Sequence, residues 1–350
     1  MSEQIQNITG NVLCDATAVF LNGSGLATGE DQNTVIPKTF KETVNGRKED
    51  VPYVSAQAWR RWLRNTANEE NGWQPSELHV IETNAKGATS KIATELDPVT
   101  YPEDDLFGYM KSGSKGEESI QRTSPFKTSI LKGIPKMRAL TTDNAFVFPK
   151  DGTPLPYSTR FYSTHLEGFF NLECYRLGSF VNTSSRVELS KDLVERYKNS
   201  LIEENPQKNV QIYTVQNAEQ LRKERAAGLL KGLVHLRGGA KMAAFGADVS
   251  PKVIVFAGML SANPCFNNLY IGSGERPRLN IDLLKELVDD YKDKLQTPVC
   301  IGIRKGYLEN EEEVKALAGD DFMVDSPIKI VEVFVDKYLR SVSYTHLTLP

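Results

Sequence analysis

The stretch VPYVSAQAWRRWLRN (Val51–Asn65) sets Arg60, Arg61 and Arg64 beside Gln57 in a pattern suited to holding phosphate. At about 100° per residue of helix, the three arginines fall within roughly 60° of Gln57, and Trp59, Trp62 and Leu63 fall opposite. Ser55 stands where an N-cap would, its hydroxyl able to accept a backbone N–H of the first turn. A guanidinium is a planar fork that matches two phosphate oxygens, and a helix N-terminus adds backbone donors that favour an anion. Like charges three and four residues apart repel, so the stripe either pairs with acids of the same chain or awaits an anionic ligand.

A second basic stretch, LKGLVHLRGGAKMAAFGADVSPK (Leu230–Lys252), places Gly238 and Gly239 between Arg237 and Lys241. It is not a nucleotide loop. The phosphate-loop pattern needs Ser or Thr after its lysine, and Met242 stands there. The dinucleotide pattern G-x-G-x-x-G is absent too, and the stretch follows a helical run where both motifs follow a strand. Two readings remain: a helix C-cap built on the Gly-Gly pair, or a basic loop whose own N–H groups, Arg237 and Lys241 hold a phosphate.

Catalytic patterns are missing. No Ser-His-Asp arrangement, Cys-His pair or H-E-x-x-H occurs. Asp31, in a long loop after the first strand, is the one acid placed to support strand cleavage if that loop meets RNA; the alternative is a solvated loop carboxylate. His79, His165 and His235 lack metal-ligand spacing and read as structural, and no metal or cofactor is expected. Cys14, Cys174, Cys265 and Cys300 form no C-x-x-C pair, which excludes a zinc framework and fits a reducing cytoplasm.

The elements that must position these residues are legible in part. ITGNVLCDATAVFL reads as a strand, Asn22–Lys38 as a long loop, and Ser55 to about Asn65 as a short helix. Arg160–Val181 reads as two strands or one long bent one, and Asn217–Leu236 as a helix with apolar residues at helical spacing. KVIVFAGML and TPVCIGIR read as strands flanking a helix capped by Asn280, and IKIVEVFV as a final strand. The order β, α, β, α, β is compatible with a split βαβ, ferredoxin-like sheet carrying large insertions. The expected division is 1–66, an insertion over 67–155, and 156–341. Residues 342–350, VSYTHLTLP after Ser341, resemble a translated sequencing adapter and stand outside the fold reading.

Bulk composition fits a soluble protein. The 350 residues carry 42 Lys and Arg against 45 Asp and Glu, so net charge does not announce a polyanion partner. The charge is segregated, however. Gln121–Arg138 holds five basic residues and no acid, while acids gather in YPEDD and ENEEE. Such separation suits a polyanion binder that packs against copies of itself, as well as plainly solvated faces. No apolar run nears the ~18 residues a membrane helix needs.

FLNGSG…NTVIPK, VPYVSAQAWRRWLRN, DLFGYM, RTSPFKTSILKGIP and LRGGAKMAAFGADVSPK stand in an order that resembles a known family. The chain is similar to the CRISPR-associated DevR family, the Cas-seven-type backbone subunit of type I Cascade, most like the type I-B branch, over nearly its whole length to about Leu339. The resemblance implies an α+β fold: a modified RRM, ferredoxin-like palm over 1–66 and 156–341, with a helical fingers insertion over 67–155 and a thumb inserted within 156–341. It implies a non-catalytic protein that polymerises head to tail along a CRISPR RNA beside other Cascade subunits and meets target DNA through the guide. The family's S-x-Q-x-x-[KR] pattern falls on Ser55, Gln57 and Arg60, with Arg61 and Arg64 alongside. Its other RNA contacts map to Asn22, Lys38 and the loop Gly238, Gly239, Ala240 and Lys241, to which the basic-loop reading above adds Arg237. The rival readings are a type III-like RNA-cleaving relative using Asp31 and a DNA-binding autoregulator. The family's usual RRM counterparts stack bases on aromatics, and no R-G-F-G-F-V motif is evident here, which favours phosphate reading.

Overall fold

The computed structural model describes residues 5–27, 33–44, 46–83, 89–113, 119–272 and 274–339. Asp31 and the 342–350 tail lie outside the described residues.

A large mixed sheet, with helices against it, organises the α/β fold. Among the described residues it has twelve strands, its spine running Phe322–Asp325, Val299–Ile303, Pro251–Met259, Asn7–Val19, Leu155–Glu173, Leu131–Gly133, Arg47–Val54 and Thr39–Val44. Arg160–Val181 spans two strands, not one long bent one: after a short turn at Cys174–Arg176 it enters Ser179–Thr183, and before that turn it is the larger part of the 19-residue strand Leu155–Glu173. That long strand pairs antiparallel with Asn7–Val19 on one side and with Phe126–Thr128, Leu131–Gly133 and Ala139–Val147 on the other.

Side chains alternate across a strand, so each central strand feeds two cores. Ile8, Val12, Cys14, Ile254 and Phe256 meet Trp59 and Leu63 of helix Ala56–Asn71 and Leu229, Leu230 and Leu233 of helix Ala218–Val234. Leu13, Val253, Val255 and Ala257 face the other way, onto Leu284 and Val288 of helix Ile281–Asp290. A smaller core around Phe180, Leu193 and Tyr213 supports a three-stranded sheet formed by Ser179–Thr183, Val210–Val215 and Leu201–Gln207. No helix among the described residues is long and apolar enough to cross a membrane.

Several expectations need correction. IKIVEVFV is not a strand but most of helix Pro327–Phe334. Its β-branched residues favour a strand by propensity, yet Ile330, Val331 and Phe334 share one helical face, with Phe334 edge-on to Phe256 at 4.9 Å. The final strand is instead Phe322–Asp325, parallel to Val299–Ile303. The 67–155 insertion is not helical either. Beyond the end of the arginine helix its described residues hold one six-residue helix, Pro102–Phe107, among short strands such as His79–Thr83 with Thr89–Ala93. Segments that short cannot sustain an isolated helix, and their β-branched content suits pairing. The Asn22–Lys38 loop contains paired strands, Gly23–Leu26 and Thr34–Pro37.

Candidate nucleic-acid interface

The arginine helix begins where its sequence says it should. Ser55 adopts extended backbone and its Oγ accepts the Ala58 N–H at 3.4 Å. Trp59, Leu63, Thr66 and Ala67 recur at helical spacing and are buried. The helix runs past the expected boundary at residue 66 to Asn71, where Gly72, at φ +63°, closes it and Trp73 N–H bonds back to Asn68 O at 2.9 Å.

Residues far apart in sequence converge on this helix start. Asn22 Oδ1 accepts the Ser55 N–H at 3.1 Å, and the Asn22 carbonyl accepts the Lys38 N–H at 2.8 Å. One residue earlier, Leu21 O accepts the Ala240 N–H at 3.0 Å. The Gly-Gly loop thus docks on the strand end that also holds the helix N-cap. Thr66 fixes its other end by accepting the Arg237 N–H at 3.2 Å. Gly238 lies against Trp62 so closely that a Cβ there would stand 2.2 Å from Trp62 Cγ, and Gly239 takes φ +136°. The pair is therefore not a helix cap. Helix Ala218–Val234 ends at His235, three residues before Gly238, and the glycines serve close approach and the turn that follows.

The presented donors are fewer than the sequence suggests. Gln57 and Arg61 are exposed and Arg64 half-buried, and among the described residues neither arginine has a hydrogen-bond or ion-pair partner. Lys38 keeps its ammonium similarly free. Lys241, in left-handed backbone at φ +51°, donates to Thr159 Oγ1 at 2.8 Å and lies 5.3 Å from the Phe20 ring centroid. Its ammonium has two further protons to offer. Arg60 differs. It sits at the edge of the arc and turns into the insertion, donating to Phe126 O at 2.7 Å, Ser124 Oγ at 2.8 Å and Phe107 O at 3.2 Å. Burial lowers its pKa from the free value. Arg237 is also engaged, with 2.6 Å contacts to both Glu69 and Glu70. The expected three-arginine stripe is thus a two-arginine one. Thr66 and the Trp62 floor escaped sequence reasoning, because nothing local marks a helix residue as the partner of a loop 171 residues away.

A family model described as CRISPR-associated negative auto-regulator DevR/Csa2 matches residues 21–266. The chain belongs to the DevR/Csa2 family. The matched span takes in every converging residue of this DevR/Csa2 protein, from Asn22 to Lys241. A sequence search of curated proteins returns no match. Among solved structures, a chain of a CRISPR RNA-guided surveillance complex is similar in fold, with a TM-score of 0.51, 14% identity, and coverage of 94% of this chain and 98% of that one. A chain of a pre-nicking CRISPR RNA-guided surveillance complex is similar with a TM-score of 0.55, 13% identity, and coverage of 95% and 100%. At such identities the likeness is one of fold.

Other reactive side chains of the DevR/Csa2 chain are occupied structurally. Burial pushes the Cys14 and Cys174 thiols up to about 12 and Cys265 to about 11, which leaves them poor thiolates. His165 Nδ1 lies 2.6 Å from the Tyr307 hydroxyl, and His235 Nδ1 lies 2.9 Å from Lys231 O. Among the described residues one set has metal-type donors in reach of each other: Glu77, His79 and Glu95, their ligating atoms within 4.8 Å. All three are exposed, and a 2.6 Å contact between His79 and Glu95 accounts for their approach without an ion.

Proposed function

We propose that this DevR/Csa2 protein is a non-catalytic, cytoplasmic holder of CRISPR RNA, a backbone subunit of a type I, I-B-like Cascade that polymerises head to tail along the guide. The observation that carries this reading is the convergence of Lys38, Ser55, Gln57 and the Gly238–Lys241 loop around a helix whose Arg61 and Arg64 have no protein partner among the described residues. Backbone donors, a helix N-terminus and unpaired guanidinium groups in one place recognise phosphate, with no sequence read.

The sheet supports the palm reading. Pro251–Met259, Asn7–Val19, Leu155–Glu173 and Phe126–Gly133 lie in the spatial order of a ferredoxin-like split βαβ, fourth, first, third and second, with both crossover helices on one face. The opposite face is closed to bases. Asn7 and Asn11 donate to the carbonyls of Leu260 and Phe266 at 3.2 Å each, and Leu269 N–H bonds Glu167 at 2.8 Å, so the chain itself straps over it. Insertions leave this core from several of its connections. The one after the arginine helix fits the fingers. The one from Ile134 to Pro156 fits the thumb, earlier than the sequence division placed it, since Phe146, Phe148 and Leu155 there remain exposed.

The test is co-purification from cells carrying a CRISPR array, with sequencing of bound RNA. The expected product is a repeat-flanked spacer transcript, bound with a strong salt dependence. Arg61→Glu combined with Arg64→Glu should abolish its recovery while the protein stays folded. Regular cuts in complementary RNA with Mg²⁺, absent in Asp31→Ala, would overturn the non-catalytic part.

A further inference from the structure

Arg60 occupies the arginine position of the motif, yet its side chain does not face the presented donors. Its guanidinium reaches three oxygens from the two stems of the inserted segment: Phe107 O, at the end of helix Pro102–Phe107, and Ser124 Oγ with Phe126 O, where the chain enters strand Phe126–Thr128. The Phe107 ring lies 5.8 Å beneath the guanidinium carbon. Ser124 Oγ is itself within 2.9 Å of Leu106 O and 2.6 Å of Phe126 O, so the two stems and the helix share one small network. Phe126 also packs edge-on to Trp59 and Phe107. Between the stems the chain makes the strand pair Tyr109–Lys111 and Ile120–Arg122.

We propose that Arg60 is a positioning residue: it clasps both stems of the insertion to the guide-binding helix and so fixes the distance between the insertion and Arg61 and Arg64, in place of contacting phosphate. This rests on the RNA-holding reading above. The geometry requires a fork. Two acceptors are main-chain carbonyls and the third a hydroxyl, spread over separate stems, and a single ammonium has neither the planarity nor the reach to meet all three. A phosphate contact, by contrast, needs mainly the positive charge, and lysine supplies it.

The charge-keeping variant therefore separates the two roles. The full-length chain is titrated with a labelled single-stranded RNA over a series of salt concentrations, and amide hydrogen exchange is followed in Ile120–Arg122 and Phe126–Thr128. Arg60→Lys should lose affinity by about tenfold, the equivalent of one charge-assisted hydrogen bond, with an unchanged salt slope. It should also speed exchange in both strands. Arg61→Gln should lower the slope by about 0.7 and leave exchange alone. Parental RNA binding by Arg60→Lys, or a slope loss in Arg60→Gln equal to that of Arg61→Gln, overturns the proposal. If the parent chain binds RNA without salt dependence and Arg61→Gln changes nothing, the RNA-holding reading falls by itself. The clasp is then decided by exchange, and unaltered protection in Arg60→Lys defeats it.

Discussion

Arg122 and Arg237 are each held by two carboxylates, in regions that treat the same chemistry in opposite ways. The Arg122 side chain is fully buried where the insertion meets the three-stranded sheet. It pairs with Asp105 and with Glu188 at 2.9 Å, donates to the carbonyls of Asp105, Arg176 and Ser179, and lies 4.8 Å from the Phe180 ring. Arg237 pairs with Glu69 and Glu70 on the surface, its own side chain 52% exposed. Removing a guanidinium from water costs several kcal/mol, so a buried one persists only when its donors are matched and its partners fixed. In water the same pairing contributes little and can be traded for another anion at little cost. Burial, not pairing, therefore separates an arginine that builds the fold from one that a polyanion can recruit.

The largest effect expected from that contrast is at Arg122. Arg122→Ala leaves Asp105 and Glu188 buried with one cation fewer, and a loss of about 3–5 kcal/mol is expected in urea unfolding at neutral pH. Asp105 keeps Arg225 and Glu188 keeps Arg186, so partial compensation should hold the loss within that range. A loss below about 1 kcal/mol would put Arg122 in the same class as a surface pair and break the contrast.

The sequence discloses this distinction unevenly. Ser55, Trp59, Leu63 and the helix they define were legible because cap and period are local signals. So was the position of the central strands, whose alternation feeds two cores. Arg60, Arg61 and Arg64 look alike on a helical wheel, and only the insertion folding over one edge of the arc separates them. Gly238 left a cap reading open because its true neighbour, Trp62, is remote in sequence. The helix at Pro327–Phe334 was hidden for a related reason: its β-branched residues carry a strand propensity that tertiary packing overrides. What was legible was set by neighbours along the chain, and what was not was set by neighbours across the fold.

A middle-sized effect should appear beside Arg122, at Asp104. Burial is the main cause raising its carboxyl from 3.8 to about 6, against the opposing hydrogen bonds from Thr94, Ser76 and Asp97. The folded state then holds a proton that the unfolded chain has already released, so stability falls as pH rises from about 4 to about 6. Above that window the penalty is constant, with an upper bound of about 3 kcal/mol. Asp104→Asn removes the charge and keeps an oxygen to accept from Ser76 Oγ and the Asp97 N–H. The variant should unfold at higher denaturant than the parent at pH 7 and lose this advantage towards pH 4. An unchanged difference across that range would mean that burial does not hold the Asp104 carboxyl above its ordinary value.

The smallest effect belongs to Arg237. Its hydrogen bond to Glu70 is the main cause holding that carboxyl below its usual range. A lowered acid contributes stability that is present above its ordinary pKa and fades as pH falls through the lowered value. Arg237→Gln should therefore cost only about 0.2–1 kcal/mol at pH 7 and low salt, and nothing measurable in high salt or strong acid, because the pair lies at the surface with its guanidinium half exposed. The comparison to make is the variant's unfolding midpoint at low and high salt, with Arg122→Ala run beside it. A salt-insensitive loss at Arg237 would mean that the pair is structural after all, with Arg237, through its N–H on Thr66, fastening the Gly238–Lys241 loop as firmly as Arg60 fastens the insertion. A loss that salt erases leaves the loop anchored by backbone alone and Arg237 available to an incoming phosphate.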